Sequence, residues 1–339
     1  MKLYTIIGCI VLFFLMSCEK NEGEILVNAC NTNGLLETFL TPDDEEIFIY
    51  EDGKLYTEVS GSCNFALQYF EPTFLEDNYI TTGNGTFLKE GNDLFPTKNN
   101  YLENFENQSV FKDLFVKSST DTDLYWTSFT LQSPAAPEVS DYLALRQCIL
   151  DETCTFIDNK IEVANDPIDN SNKVLKFTSV PPTADMITSK SSMSSTINFY
   201  QKDAHVWYKA DYFIESGMPF SIVDFENSYF YKSPGPRVVI RNNQLEFENK
   251  FGAKLTVENN SGMTISRNQW FTLKVHLKYS NTNDGIIELW QDGIQIISAT
   301  GINLPTSNSI QNILEVGATA SSEGCVLFFD NMRISETSF

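Results

Sequence analysis

The last two-thirds of this chain repeats one pattern: short runs in which every second residue is apolar, separated by Gly, Asn, Asp and Pro. The clearest is QWFTLKVHLKYS, residues 269–280, where Leu273, Val275, Leu277 and Tyr279 form one row and Thr272, Lys274, His276 and Lys278 the other. A period of two is that of a β-strand with one face for a core and one turned away from it. Comparable runs are Lys173–Val180, Thr196–Phe199, Val206–Ile214, Phe220–Phe225, Arg237–Arg241, Leu245–Asn249, Ile286–Trp290, Ile294–Ser298, Ile313–Val316 and Val326–Ile334. Asn242-Asn243 and Asp292-Gly293 tolerate positive φ and read as two-residue hairpin turns. No long segment carries a convincing helical period. An all-β fold follows, an antiparallel sandwich over residues 101–339.

The N-terminus reads as a targeting segment. Lys2 precedes an apolar run, Ile6–Met16, that is short for a membrane span. It ends in Leu15-Met16-Ser17-Cys18, which resembles a bacterial lipobox with Cys18 as the lipidated residue. The acidic tract Glu19–Glu24 resembles the surface-export signal of Bacteroidetes lipoproteins. The expected organisation is a signal peptide over 1–18, an acidic tether over 19–46, a small β-rich module over 47–95 and the sandwich. The expected location is the outer membrane, lipid-anchored and facing outward. In the small module, Ile47–Val59 reads as a hairpin with Asp52-Gly53 in its turn.

An oxidising compartment permits disulfides. Cys148 and Cys154 are spaced to close a small loop, Cys30 and Cys63 could staple the N-terminal region, and Cys325 is left over in an apolar run. A formal net charge of -22 argues against nucleic acid as a partner. Two histidines and no metal-type Cys spacing make a structural zinc site improbable.

Against that acidity, the outward rows of several strands are basic or aromatic. They offer His205, Trp207, Lys209 and Asp211; Arg237, Val239 and Arg241; Lys190, Ser192, Ser194, Thr196 and Asn198; and Glu288, Trp290 and Asp292, beside Lys274, His276 and Lys278. Aromatic planes stack on sugar rings, and the Arg fork matches a carboxylate. A locally basic groove on an acidic protein suits a polyanionic glycan, because remote charge is screened beyond roughly 8 Å. The bland alternative is an ordinary wet face on which lysines guard against edge pairing.

Gln269–Ser280, followed by Asn283–Gly293 with its Trp290 and Asp292-Gly293, resembles the Trp/Asp-Gly hairpin of concanavalin-like jelly-roll polysaccharide lyases, the heparin lyase I-like group. Ala204–Phe213 is similar to the strand preceding it and Val326–Ile334 to the closing strand. The resemblance implies β-elimination on a uronate polysaccharide. One group neutralises the C5 carboxylate, a base removes the α-proton, and an acid protonates the leaving oxygen. The candidates are His276 and His205 as base or neutraliser, Arg237 and Arg241 for the carboxylate, and Tyr231 or Tyr229 as a loop-borne base. Tyr208 and Tyr279 fall on core rows. Lys190, Trp207, Lys209, Lys274, Lys278, Glu288 and Trp290 are expected to hold sugars. Modules of this fold often hold a structural calcium ion where an early Phe-Glu meets an acid of the last strand, here Glu106 and Asp330; hard oxygen ligands suit that ion. Asp224 and Glu226 have the spacing of a hydrolase pair, but the laminarinase-type ExDxxE is absent. The rival reading is a non-catalytic lipoprotein that captures polysaccharide.

Overall fold

The computed structural model describes residues 101–115, 126, 128–184, 186, 188–195, 200, 202–229, 235–251, 255–305 and 310–339, together with the backbone of eight strands and the start of a ninth between residues 35 and 100. In chain order those are β1 (Leu35–Leu40), β2 (Glu46–Tyr50), β3 (Leu55–Glu58), β4 (Phe65–Leu67), β5 (Thr73–Glu76), β6 (Tyr79–Thr82), β7 (Gly85–Glu90), β8 (Asp93–Pro96) and β9 (Asn100–Glu103). β1–β4 and β5–β8 form two four-stranded antiparallel sheets. The expected hairpin appears as β2 against β3, with Phe48 opposite Tyr56. β1 falls inside the stretch read as a tether. Cys18, Cys30 and Cys63 lie outside the described residues.

The sandwich is built from β10 (Ser128–Gln132), β11 (Lys160–Asn165), β12 (Lys173–Ser179), β13 (Ser189–Ser195), β14 (His205–Gly217), β15 (Ser221–Tyr229), β16 (Pro236–Arg241), β17 (Gln244–Asn249), β18 (Thr256–Val257), β19 (Trp270–Lys278), β20 (Ile286–Gln291), β21 (Ile294–Thr300), β22 (Ile310–Ser321) and β23 (Cys325–Ser335). A seven-stranded sheet runs β10-β13-β22-β15-β16-β17-β18. The eight-stranded sheet runs β11-β12-β23-β14-β19-β20-β21, with β9 also pairing β23. Both are antiparallel throughout. The two hairpin turns form as expected, with positive φ at Asn242, Asn243, Asp292 and Gly293, so Arg241 faces Gln244 and Gln291 faces Ile294. The run expected at Thr196–Phe199 lies outside the described residues, just beyond β13.

Inward rows of the two sheets interlock as one core. Tyr208, Tyr212, Leu273, Val275 and Leu289 come from one sheet; Phe225, Val238, Phe247, Leu314 and Val316 come from the other, all fully buried or nearly so. Each such side chain contributes about 1.5–3 kcal/mol by leaving water. Tyr208 and Tyr212 place their hydroxyls 2.6 Å apart in that core, which satisfies two polar groups at once and removes Tyr208 from any surface chemistry, as its row implied.

A helix was missed. Val139–Leu150 is an α-helix, opened by a capping box between Glu138 and Asp141. Its buried residues are Leu145 and Ile149, while Val139 and Leu143 are exposed. So narrow a stripe leaves little periodic signal. The Cys148–Cys154 disulfide forms across the helix end. Its loop is short, so Cys148→Ser with Cys154→Ser is expected to cost only about 2 kcal/mol. A thermal melt checks this, and a loss of all cooperative unfolding would contradict it. Cys325 is a buried free thiol, and burial pushes its pKa up to about 12, leaving it inert at neutral pH.

Candidate active site

The outward row of the seven-stranded sheet carries its charge on the middle strands. In register, Ser128, Ser194, Glu315, Asp224, Arg237, Glu248 and Thr256 stand side by side on seven successive strands. The acids on this face are buried although they point away from the apolar core: Asp224 is 2% exposed, Glu248 3% and Glu315 6%. Each has a cation. Lys190 Nζ is 2.7 Å from Glu315, whose other partner is the Ser192 hydroxyl. Lys250 Nζ is 2.7 Å from Asp224 and also holds Glu226. Arg237 donates through Nε to Glu248 at 3.0 Å, and Arg241 donates to Glu248 and Glu246. The two guanidinium groups flank the Phe220 ring at 4.8 and 5.2 Å.

These contacts set the charge states. Burial opposes ionisation of Asp224, but Lys250 and the Ser221 hydroxyl outweigh it and its pKa is lowered. Burial likewise pulls Lys190 down, yet Glu315 leaves it raised. Glu226 is the exception: burial, aided by Asp224, raises it against the pull of Lys250. Asp224 and Glu226 do share a face, as their spacing implied, but one ammonium ties them together.

The other expected residues stand on the far side of the molecule. Lys274, His276 and Lys278 of β19, His205, Trp207 and Lys209 of β14, and Glu288 and Trp290 of β20 share the outward face of the eight-stranded sheet. The expectation of one groove is corrected here: Arg237, Arg241 and Lys190 belong to the seven-stranded sheet, with the whole core between them and both histidines. A period of two assigns a side chain to the outside of a strand; it does not choose between the two outsides of a sandwich.

On that second face His276 is held on both ring nitrogens. Its Nδ1 lies 2.7 Å from Glu288 Oε2 and its Nε2 lies 2.9 Å from His205 Nδ1. A carboxylate only accepts, so His276 Nδ1 carries hydrogen; with both rings neutral, its Nε2 would accept from His205 Nδ1 and leave a lone pair on His205 Nε2. Burial and the neighbouring His276 lower the pKa of His205. Trp207 stacks on His276 with centroids 3.8 Å apart. Lys278 is taken up by Asp203 and Asp284. Tyr279 is buried in the core. Tyr231 lies outside the described residues, and only the backbone of Tyr229 is described, opposite Ile310.

Glu106 and Asp330, the pair expected at a calcium site, each accept hydrogen bonds from the protein. Asp330 accepts from the Asn331 N–H at 2.7 Å and from the Asn172 amide at 3.0 Å, and Glu106 accepts from the Lys173 N–H. Among the described residues no three His, Cys, Asp or Glu gather as ligands. Burial, together with Asp211 and Glu106, pushes Asp330 up to about 6 against those donors. A raised folded pKa means that stability falls as pH rises from about 4 to about 6 and stays lower above. In EDTA, Asp330→Asn is expected to raise stability by about 1–2 kcal/mol at pH 8 and to give no gain at pH 4. Equal effects at both pH values, read by thermal melts, would refute that origin.

Residues 115–333, well over half of the chain, match the family described as polysaccharide lyase. The chain belongs to the polysaccharide lyase family. No curated protein matches it. Among solved structures, it is similar to an endo-β-1,4-glucuronan lyase from the fungus Trichoderma reesei, with 13% identity, a TM-score of 0.46, and coverage of 62% of this chain and 96% of that one. An alginate lyase from Chlorella virus aligns at 12% identity and a TM-score of 0.39, covering 53% and 90%. Alginate lyase Aly36B, with an alginate tetrasaccharide bound, aligns at 9% identity and a TM-score of 0.39, covering 71% and 98%.

In this polysaccharide lyase family member, sequence reasoning missed Glu246, Glu248, Lys250 and Glu315. A signal existed for two of them. The Asn242-Asn243 turn fixes the β16–β17 register, and that register sets Arg237 opposite Glu248 and Val239 opposite Glu246. Lys250 and Glu315 come from positions that only the sheet order brings near Asp224.

Proposed function

We propose that this protein cleaves an acidic, uronate-bearing polysaccharide by β-elimination on the outer face of the seven-stranded sheet, and that it does so as a lipoprotein anchored through Cys18 at the outer membrane. The observation that carries the location of the chemistry is the buried charged row. Burying Asp224, Glu248 and Glu315 on a face that need not be buried costs several kcal/mol per ion before pairing. Perturbed, desolvated charges of this kind cluster at functional sites. Arg241, with its side chain 31% exposed, is the guanidinium best placed to meet a sugar carboxylate, with Arg237 behind it. Glu226, raised and partly exposed, suits the acid that protonates the leaving oxygen. The base proposed is Tyr231, which follows the end of β15 by two residues in sequence. The proton it takes is the α-proton, and the electron pair left behind expels the glycosidic oxygen to give the unsaturated uronate.

The test is ultraviolet absorbance of unsaturated product from a panel of alginate, glucuronan, heparin, ulvan and pectate. Tyr231→Phe should abolish turnover and His276→Ala should spare it. The reverse pattern would move the chemistry to the eight-stranded face. A second reading, capture without cleavage, is favoured by the carboxylate pairing of Lys190, Lys250, Arg237 and Arg241 and by the absence of histidine from this face among the described residues. Measurable binding with no product on any polymer would establish it.

A further inference from the structure

We propose that the outer face of the eight-stranded sheet is a second, non-catalytic site that binds an acidic oligosaccharide. Arg333, Lys209 and Lys274 stand directly opposite one another on β23, β14 and β19, and Trp290 continues the row on β20. Like charges in cross-strand register destabilise a sheet, and nothing in the core requires them here. The surrounding rings share the load. Lys274 Nζ lies 4.8 Å from the Trp207 centroid, 5.4 Å from Trp290 and 5.5 Å from Phe339, and it donates to the Phe339 main-chain oxygen at 2.6 Å. Arg333 lies 4.2 Å over the Phe339 ring. Lys209 has no hydrogen bond or ion pair among the described residues.

Lys209, Lys274, Trp290, Arg333 and Phe339 line a cavity of about 910 Å³. Two acids also line it, and both are engaged locally: Asp211 accepts from the Thr272 hydroxyl and the Asn331 amide, and Asp292 from the Thr272 N–H. The cavity therefore offers a cationic half, with Lys209 open, beside the flat ring of Trp290. That pairing fits a pyranose carrying a carboxylate: ring on ring, and carboxylate on ammonium and guanidinium. The site is separated by the core from the row assigned to cleavage, and the inference stands without that assignment.

The test is titration of the purified protein with saturated hexasaccharides of mannuronate, guluronate, glucuronate and galacturonate, and with cellohexaose as the neutral control. Tryptophan fluorescence is read beside product absorbance. One acidic hexamer is expected to bind, cellohexaose is not, and added salt should weaken the complex. Lys209→Ala and Trp290→Ala should each weaken it about tenfold, with unchanged melting temperatures. No binding by any hexamer overturns the proposal, as does equal binding of cellohexaose, or loss in Arg241→Ala but not in Lys209→Ala. Binding that depends on Lys209 without any unsaturated product would sink the cleavage reading and leave this one intact.

Discussion

Lys250→Met is expected to cost about 3–5 kcal/mol at pH 8, because it strands two carboxylates on a buried face. Asp224 and Glu226 share that single ammonium, and Ser221 and the Gly235 N–H are left as their main donors. Without Lys250 the two acids repel one another, so both folded pKa values rise. A raised carboxyl pKa means that the lost stability is greatest at high pH and shrinks as pH falls through it. The penalty should therefore shrink by pH 5. The triple change Lys250→Met, Asp224→Asn, Glu226→Gln should recover most of the stability at pH 8, since replacing a whole buried ion cluster is close to neutral. Denaturant melts of the three proteins at both pH values check this. A pH-independent loss would mean that Lys250 acts by packing its alkyl stem, not by charge.

The buried row also marks the limit of what the sequence discloses. Alternation in residues 269–280 correctly sorts Leu273, Val275, Leu277 and Tyr279 into the core and Lys274, His276 and Lys278 away from it. The same holds for Val238 and Ile240 against Arg237 and Arg241. The hairpin turns were legible because φ is positive at Asn242, Asn243 and Asp292, a conformation that few residue types tolerate. Sheet membership was not legible. β16 and β19 are strands of one appearance, yet their outward rows face opposite ways, because long-range pairing with β15 and β14 decides the layer. Outward also proved not to mean wet. Glu248 and Glu315 look like solvated strand acids in sequence, and only the assembled sheet sets Arg237, Arg241 and Lys190 against them.

Arg241→Ala is expected to lower kcat by about 10²–10³-fold with a smaller change in KM, because the carboxylate it meets gains charge as the α-proton leaves. Arg241→Lys should recover only part of this, since the ammonium keeps the charge and loses the planar fork. The variant also disturbs structure. Glu246 is buried and would lose its guanidinium, while Arg237 still holds Glu248. A stability cost of about 1–3 kcal/mol follows from one unsatisfied buried acid. Adding Glu246→Gln removes that unpaired charge, so the double variant should melt near the parent and remain inactive. Steady-state rates on the polymer that the panel identifies, beside thermal melts, separate the two effects. If Glu246→Gln restores turnover together with stability, Arg241 is a strut of the charged row, and the carboxylate is held elsewhere.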